Sequence, residues 1–174
     1  RPAREARTAE WPQRVAPMLR QALTIRGIRA PYTHQAEAIE RILDGEDLVI
    51  VSGTASGKTL CYNVPVVQAI LDDPQARAIY LFPTKALAQD QLDELYALVQ
   101  AAEADIKTFT YDGDTAVSAR RAVRQAGHIV ITNPDMLHQG ILPHHTGWTR
   151  LFDNLKFIVV DELHIYRGIF GSHL

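Results

Sequence analysis

The sequence has 174 residues, of which 47% are hydrophobic and 22% charged, and its formal net charge is -2 at pH 7. A chain of this length and composition can bury a domain core, which excludes a disordered protein. No run approaches the roughly 18 consecutive apolar residues of a membrane helix, and the charged start RPAREARTAEW lacks the apolar core of a signal peptide. We therefore expect a cytoplasmic protein with no membrane partner. The small net charge neither indicates nor excludes a nucleic-acid partner.

The beginning of the chain predicts a tether followed by two helices. Residues 1–14 have the character of a tether, and the domain is expected over residues 15–174. The segment PQRVAPMLRQALTIRG predicts a first helix that ends at Gly27. The segment THQAEAIERILDG predicts a second helix that is capped by Thr33 and ends at Gly45.

Short apolar runs bounded by turn residues alternate with helical segments in the rest of the chain. One such helix is expected over 84–102, with Thr84 as its N-cap. Consecutive Ile, Val and Leu residues favour strands that are buried on both faces, and alternation with helices favours right-handed crossovers. The predicted fold is α/β, a parallel sheet with helices on both faces. Its strands are predicted at 47–52, 77–82, 106–111, 128–133 and 156–162.

The cysteine and histidine content gives little support for a structural metal site. Cys61 is the single cysteine, so it can form neither an internal disulfide nor a cysteine zinc site, and we expect it to be a small buried hydrophobe. The histidines His138, His144 and His145 invite a zinc hypothesis. Adjacent histidines do not easily bind one ion, so a surface loop is the favoured interpretation.

The stretch VSGTASGKTL, residues 51–60, predicts a phosphate-binding loop between a strand and a helix. In such a loop the backbone N–H groups and the helix N-terminus point at one spot and hold a polyphosphate. Lys58 would bind the β- and γ-phosphates of ATP, and the Thr59 hydroxyl would ligate Mg²⁺. Ser52 departs from the usual glycine, and a simple strand-to-helix turn remains the alternative. The predicted nucleotide-binding residues are Thr54, Ala55, Ser56, Gly57, Lys58 and Thr59.

A pair of carboxylates, Asp161 and Glu162, follows the apolar run FIVV. Ligands of open parallel sheets bind beyond the carboxyl ends of the strands, so this pair is expected to face the same crevice as the phosphate loop. Asp161 would hold the metal through a water molecule, and Glu162 would orient and deprotonate the attacking water. The alternative is a strand that simply ends in solvent.

The segments PTKAL and TNPDML each join a strand end to a helix start. Hydroxyl and free N–H groups at such junctions can bind a phosphate backbone, which makes Thr84, Lys85, Thr132 and Asn133 candidate nucleic-acid contacts. Helix capping alone would also explain Thr84 and Asn133. The turn YDGDT, residues 111–115, is a further segment expected to lie near the bound nucleic-acid strand.

The ordered motifs SGTASGKT, PTKALAQDQ, TNPDML and DELH resemble the first RecA-like lobe of superfamily 2 helicases, and HQ at 34–35 resembles their Q motif. Wider segments, among them NPDMLHQGILPHH and DELHIYRGIFGSH, resemble the DEAH-type DNA helicases with a C-terminal four-cysteine domain. That group includes the mitomycin repair factor A and Hrq-type, RecQ-like enzymes. The resemblance implies 3′-to-5′ translocation on single-stranded DNA, or on duplex with a single-stranded tail, in DNA repair.

The resemblance adds three residue roles to those that the residues themselves indicate. It implies that Gln35 reads the adenine, since one amide can donate to and accept from a base edge together. Tyr32 would stack on the base, although a core position is an equal alternative. His164 would couple the nucleotide site to nucleic acid or to a second lobe. Leu163 replaces the alanine of the family pattern, an apolar exchange that leaves the chemistry unchanged.

The resemblance also implies a second RecA-like lobe of the same protein, which completes the ATP site. The chain is expected to be the first lobe, incomplete at its C-terminus, and to turn over little ATP alone because the arginine finger comes from that second lobe. A bacterial protein of this kind would associate with the nucleoid. Two alternatives stay open: an RNA-remodelling ATPase, and a nucleotide-dependent binding module without unwinding. The hydrolytic base Glu162 argues against the second.

Overall fold

A computed structural model describes residues 7–51 and 57–167. The chain divides into two compact units. The first unit comprises Arg1–Asp72 and Leu98–Ala104, and the second comprises Asp73–Ala97 and Asp105–Leu174. Within the described ranges, the helices are all too short or too polar to cross a bilayer.

Three helices lie entirely within the described residues of the first unit, and the first two occur where the sequence predicts them. Leucine and isoleucine side chains at helical spacing, Leu19 and Leu23 among them, are fully buried. Gly27 and Gly45 follow the first two helices with φ of +86° and +87°, a conformation in which glycine avoids the Cβ penalty of other residues. The helices are α1 (Pro17–Ile25), α2 (Thr33–Leu43) and α3 (Lys58–Asp72), and α2 packs against α3.

The N-terminal segment differs from the predicted tether over its described residues 7–14. The N–H of Thr33 donates to the Arg7 carbonyl at 2.9 Å, and the N–H of Ala9 donates to the Pro31 carbonyl at 2.9 Å. Thr8 forms an antiparallel bridge with Tyr32. These backbone hydrogen bonds fix the segment against the start of α2, a pairing that no local pattern announces.

The predicted strand over 47–52 is wrong for residues 47–51, which adopt no regular secondary structure. Val49 and Val51 are 78% and 91% exposed. A strand is stable only where its N–H and C=O groups pair with a neighbour, and residues 47–51 belong to no ladder among the described strands. The apolar run therefore has the composition of a strand, but residues 47–51 do not pair with any described strand.

The second unit contains a sheet of four parallel strands in the order β2-β3-β1-β4. All residues of β1 and β3 are buried, as expected for central strands covered on both faces. The α/β class and the parallel sheet are confirmed. The strands are β1 (Arg77–Leu81), β2 (Thr108–Thr110), β3 (Ile129–Thr132) and β4 (Leu155–Val160). The helices are α4 (Lys85–Ala101), which begins in this unit, α5 (Val117–Ala126), α6 (Pro134–Met136) and α7 (Thr149–Asp153).

The strands end level with one another at their carboxyl ends. Leu81 pairs with Thr132 on one side and Val160 on the other, and Thr110 pairs with Ile131. The segments that leave the sheet therefore start side by side along one edge. This register brings residues that are far apart in sequence to the same place.

The histidine-rich segment was expected to be a surface loop, and that interpretation is wrong in part. A π-helix spans Leu137–Ile141 and a 3₁₀ helix spans Leu142–Trp148, because Ile141 and Trp148 anchor the segment in the core with 0% exposure each. All the histidines in it are exposed. Across residues 7–51 and 57–167, no group of at least three potential metal ligands occurs.

The core of the second unit is built around Trp148. Its ring lies 4.7 Å from the ring of Tyr111 at an interplanar angle of 89°, an edge-to-face geometry that aromatic pairs favour. Side chains from the strands and from the following helices surround this pair: Ile79, Leu81, Val123, Val130, Ile141 and Leu151.

We predict that Trp148→Ala destabilises the chain by about 3–5 kcal/mol, since it opens a large cavity in this core. Urea denaturation measures the loss. Tyr96→Ala is the matched control, because Tyr96 is 60% exposed and surface substitutions stay within about 0.5 kcal/mol. Equal effects of the two substitutions would contradict the assignment of the core.

Candidate functional site

The described part of the phosphate loop lies at the start of α3. Gly57 has a φ of +69°, and Lys58 and Thr59 are the first two residues of the helix, both half-buried. This places the ammonium and hydroxyl groups at a helix N-terminus, where backbone N–H groups favour anions. Ser52 and the predicted nucleotide-binding residues Thr54, Ala55 and Ser56 lie outside the described residues.

The Gln35 side chain joins the Q motif to the phosphate loop within the first unit. Its Oε1 accepts a hydrogen bond from the Tyr32 N–H at 2.8 Å, and its Nε2 donates to the Gly57 carbonyl at 3.0 Å. A Cβ on Gly57 would lie 2.5 Å from this Nε2, so a side chain at position 57 would displace the Gln35 amide, and the positive φ independently favours glycine. Gln35 is 4% exposed, and its recognition of adenine stays a prediction.

The start of α2 corrects one sequence prediction and excludes the core position considered for Tyr32, whose stacking on the base stays a prediction. The N-cap is Tyr32 and not Thr33, because the Gln35 side chain satisfies the N–H of Tyr32 from within the first turn. Tyr32 is 39% exposed and therefore outside the core. Its ring stacks on His34 with a centroid distance of 5.9 Å, which leaves an aromatic surface at this end of the helix.

Cys61 is fully buried in α3, as its small apolar side chain predicts. Burial raises the pKa of its thiol to about 11. The group is therefore a neutral thiol at physiological pH and does not act as a nucleophile or as a metal ligand.

The acidic pair begins directly after β4 in the second unit. The Asp161 N–H donates to the Leu81 carbonyl at 3.1 Å, continuing the β1–β4 ladder by one residue. Asp161 Oδ1 then accepts from the Glu162 N–H at 2.8 Å. Glu162 has a φ of +50°, a left-handed conformation that is uncommon for residues other than glycine and often occurs at functional sites.

The carboxylate of Glu162 contacts the histidine that follows it in the motif. His164 Nδ1 lies 3.2 Å from Glu162 Oε2. The predicted base and the predicted coupling residue are therefore direct neighbours. This contact gives His164 a means to orient the carboxylate, and its coupling role stays a prediction.

Tyr166 is a member of this cluster that the sequence did not indicate. It is 9% exposed, and burial, followed by the negative charges of Asp161 and Glu162, raises its pKa to about 12. The phenol therefore remains protonated near two carboxylates. An aromatic residue four positions after Glu162 was the available signal, and it is too common to interpret alone.

All four residues predicted to contact nucleic acid line one cleft in the second unit. The cleft has a volume of ≈ 350 Å³ and lies at the carboxyl ends of β1, β2 and β3. Thr84 and Lys85 come from the β1–α4 junction, and Thr132 and Asn133 come from the β3–α6 junction. Asp112 from the YDGDT turn lines it as well.

The hydrogen bonds in the cleft test whether Thr84 and Asn133 are helix caps, the alternative to nucleic-acid contact. Thr84 Oγ1 accepts from the Leu87 N–H at 3.3 Å, and Asn133 Oδ1 accepts from the Met136 N–H at 2.8 Å. Both residues therefore are helix caps and also line the cleft. The Thr132 hydroxyl donates to the Tyr111 carbonyl at 2.6 Å and is 3% exposed, which makes it a group that positions the YDGDT turn.

Lys85 forms an ion pair that the sequence did not predict. Its ammonium is bonded to the carboxylate of Asp114 and lies 3.8 Å from Asp112 Oδ2. The hydrogen bond with Lys85 lowers the pKa of Asp114, and the same bond raises the pKa of Lys85. Lys85 and Asp114 are 29 residues apart in sequence, so no local pattern could have indicated this contact.

Comparison with known proteins identifies relatives of the whole chain. The DEAD/DEAH box helicase family model matches residues 32–174. The uncharacterized ATP-dependent helicase YprA of Bacillus subtilis is 59% identical over 171 residues, which cover 98% of this chain and 23% of that protein. The ATP-dependent helicase hrq1 of Schizosaccharomyces pombe is 43% identical over 153 residues, which cover 87% of this chain and 14% of that protein.

A solved structure has the same fold. The crystal structure of the DUF1998 helicase MrfA bound to DNA and AMPPNP matches with a TM-score of 0.94 and 59% identity, over 98% of this chain and 24% of that one. The chain thus spans about a quarter or less of the length of these relatives. Because the family model covers most of the sequence, the chain belongs to the DEAD/DEAH box helicase family, as its motifs predicted.

Proposed function

We propose that this chain is the ATP-binding first RecA-like lobe, over residues 15–174, of a 3′-to-5′ DNA helicase that acts in DNA repair. The observation that carries the proposal is the cleft at the carboxyl edge of the sheet, which is lined by the four residues predicted to contact nucleic acid. The acidic pair follows β4 at the same edge. Two further facts support it: a relative is named an ATP-dependent helicase, and a solved neighbour is bound to DNA and AMPPNP.

In this proposal, the start of α3 binds the phosphates of ATP. Lys58 supplies the positive charge, Gly57 lets the backbone approach the phosphates, and the backbone N–H groups of the loop complete the cradle. The neighbouring Gln35 and Tyr32 would contact the adenine. Since Gln35 already bonds the Gly57 carbonyl, its side chain can relay the presence of a base to the loop.

Thr59 and Asp161 are the residues that would hold Mg²⁺. A hydroxyl and a carboxylate are hard oxygen donors, which suit this cation, and Asp161 would bind it through a water molecule. When bound, Mg²⁺ would neutralise charge on the phosphates. The Asp161 carboxylate also holds the Glu162 backbone through the 2.8 Å hydrogen bond, so Asp161 and the proposed base are fixed together.

Glu162 would accept the proton of the attacking water, with His164 restraining its carboxylate. A second RecA-like lobe of the same protein would supply the arginine finger. Loss of such an arginine costs about 10³- to 10⁵-fold in rate, so we expect little turnover by this chain alone. DNA with a single-stranded region and a cytoplasmic location, with nucleoid association in a bacterium, complete the proposal.

We predict that Lys58→Ala lowers nucleotide affinity by about 10- to 100-fold, since a charged hydrogen bond contributes ~1.5–3 kcal/mol. Gly57→Ala should also weaken binding, because alanine disfavours the φ of +69° at this position and its Cβ would displace the Gln35 amide. Titration with a fluorescent ATP analogue measures both. Lys107→Ala, at an exposed lysine before β2, is the control. Equal affinity of Lys58→Ala and the unaltered protein would contradict the phosphate loop.

We predict that Lys85→Ala weakens binding of single-stranded DNA by the full-length protein. Loss of one phosphate contact should reduce the slope of log affinity against log salt by up to about 0.7. Fluorescence anisotropy at several salt concentrations measures this slope. Lys107→Ala again serves as the control, because Lys107 precedes β2 at the opposite edge of the sheet. A salt slope unchanged by Lys85→Ala would contradict the cleft as the DNA site.

A further inference from the structure

The YDGDT turn, Tyr111–Thr115, is closed by its own hydrogen bonds. The Asp112 N–H donates to Thr115 Oγ1 at 2.9 Å, and Asp112 Oδ1 accepts from the Asp114 N–H at 2.9 Å. The Thr115 hydroxyl lies 3.3 Å from the same Oδ1. Asp112 therefore has a structural function in the turn. The Asp114 side chain has no such bond, and Lys85 is its partner among the described contacts.

Arg120 fixes the turn from the side of α5. Its Nε donates to the Thr115 carbonyl at 2.9 Å and its Nη2 donates to the Gly113 carbonyl at 3.3 Å. The guanidinium carbon also lies 5.5 Å from the centroid of the Tyr111 ring, within the range of a cation–π interaction. Because Tyr111 packs edge-on against the buried Trp148, the turn is anchored in the core of the unit.

The anchored turn holds two carboxylates against the cation of the cleft. Lys85 contacts both Asp112 and Asp114, and its side chain is 60% exposed. Asp114 is 82% exposed, so this pair is accessible to a competing anion. A phosphate of a bound strand and the Asp114 carboxylate offer the same ammonium the same kind of charged acceptor.

We propose that Asp114 is a selectivity residue of the DNA cleft, which occupies Lys85 in the free protein and must be displaced by a backbone phosphate. The inference rests on the proposed function of the cleft. An exposed ion pair is weak and is screened by salt, so a nucleic-acid strand held by several groups at once displaces the carboxylate. An isolated phosphate or a small polyanion gains too little from Lys85 alone to do so.

This exchange also determines the salt dependence of binding. A phosphate that binds Lys85 releases a condensed counterion. The vacated Asp114 carboxylate then attracts a cation from solution, which offsets part of that release. Removing the Asp114 charge should therefore make DNA affinity higher and its salt dependence steeper.

The test measures single-stranded DNA affinity of the full-length protein at several salt concentrations, for Asp114→Asn, Lys85→Ala and the double variant. We expect Asp114→Asn to bind about two- to fivefold more tightly, the range for release of an exposed ion pair. Its salt slope should be steeper by less than about 0.7, because Asp114 offsets only part of the counterion release at Lys85. Both effects should vanish in the Lys85→Ala background. Inorganic phosphate should also inhibit Asp114→Asn at lower concentration than it inhibits the unaltered protein.

Asp153→Asn is the matched control, because it removes the same charge at an exposed position before β4, at the amino edge of the sheet. It should change neither affinity nor slope. Asp114→Asn that binds DNA equally or more weakly would overturn the inference, as would a gain that persists with Lys85→Ala. If Lys85→Ala weakens binding and Asp114→Asn has no effect, only the ion-pair inference fails. If Lys85→Ala changes neither DNA affinity nor the salt slope, the assignment of the cleft as the DNA site fails as well.

Discussion

The in-register pairing of parallel strands in the second unit is the constraint on which its site depends. Leu81 is level with Thr132 and Val160, so the chain leaves neighbouring strands at the same height. Lys85, Asn133 and Asp161 then follow from three different strands at one edge, although they span most of the second half of the sequence. A slip of one residue in any strand would reverse which side chains face the helices and would separate these groups.

Hydrogen bonds between side chains and backbone groups position the polar residues of the cleft. The Thr132 hydroxyl bonds the Tyr111 carbonyl, Arg120 bonds two carbonyls of the YDGDT turn, and Thr84 and Asn133 cap helices. A side chain that caps the start of a helix lies beside the free backbone N–H groups of that helix, which can bind a phosphate. Capping and nucleic-acid binding are thus compatible functions of the same residues, and the choice between them posed by the sequence is not exclusive.

The sequence predicted what depends on local pattern. Four of five strands, the first two helices and the glycines that end those helices follow from apolar runs and turn chemistry. Two of the three failures depend on the presence or absence of a partner distant in sequence, and the third, the N-cap of α2, depends on a side-chain bond within the first helical turn. Residues 47–51 have strand composition and no paired neighbour, Tyr32 becomes the N-cap through Gln35, and residues 7–14 bond to residues 29–33. In the site, motif spacing indicated Lys85 and Glu162, whereas the Asp114 ion pair and the buried Tyr166 required the fold.

In the proposed function, binding of a nucleic-acid strand at this sheet edge stimulates ATP hydrolysis by Glu162. The most direct test is ATP turnover by the full-length protein with no polymer, with single-stranded DNA and with single-stranded RNA, using Glu162→Gln as the blank. We predict that single-stranded DNA stimulates ATP turnover and that Glu162→Gln lowers the turnover rate by at least about 10²-fold. Stimulation by RNA alone would contradict the DNA assignment. ATP turnover that neither polymer stimulates, or that Glu162→Gln does not lower, would contradict nucleic-acid-stimulated hydrolysis by Glu162.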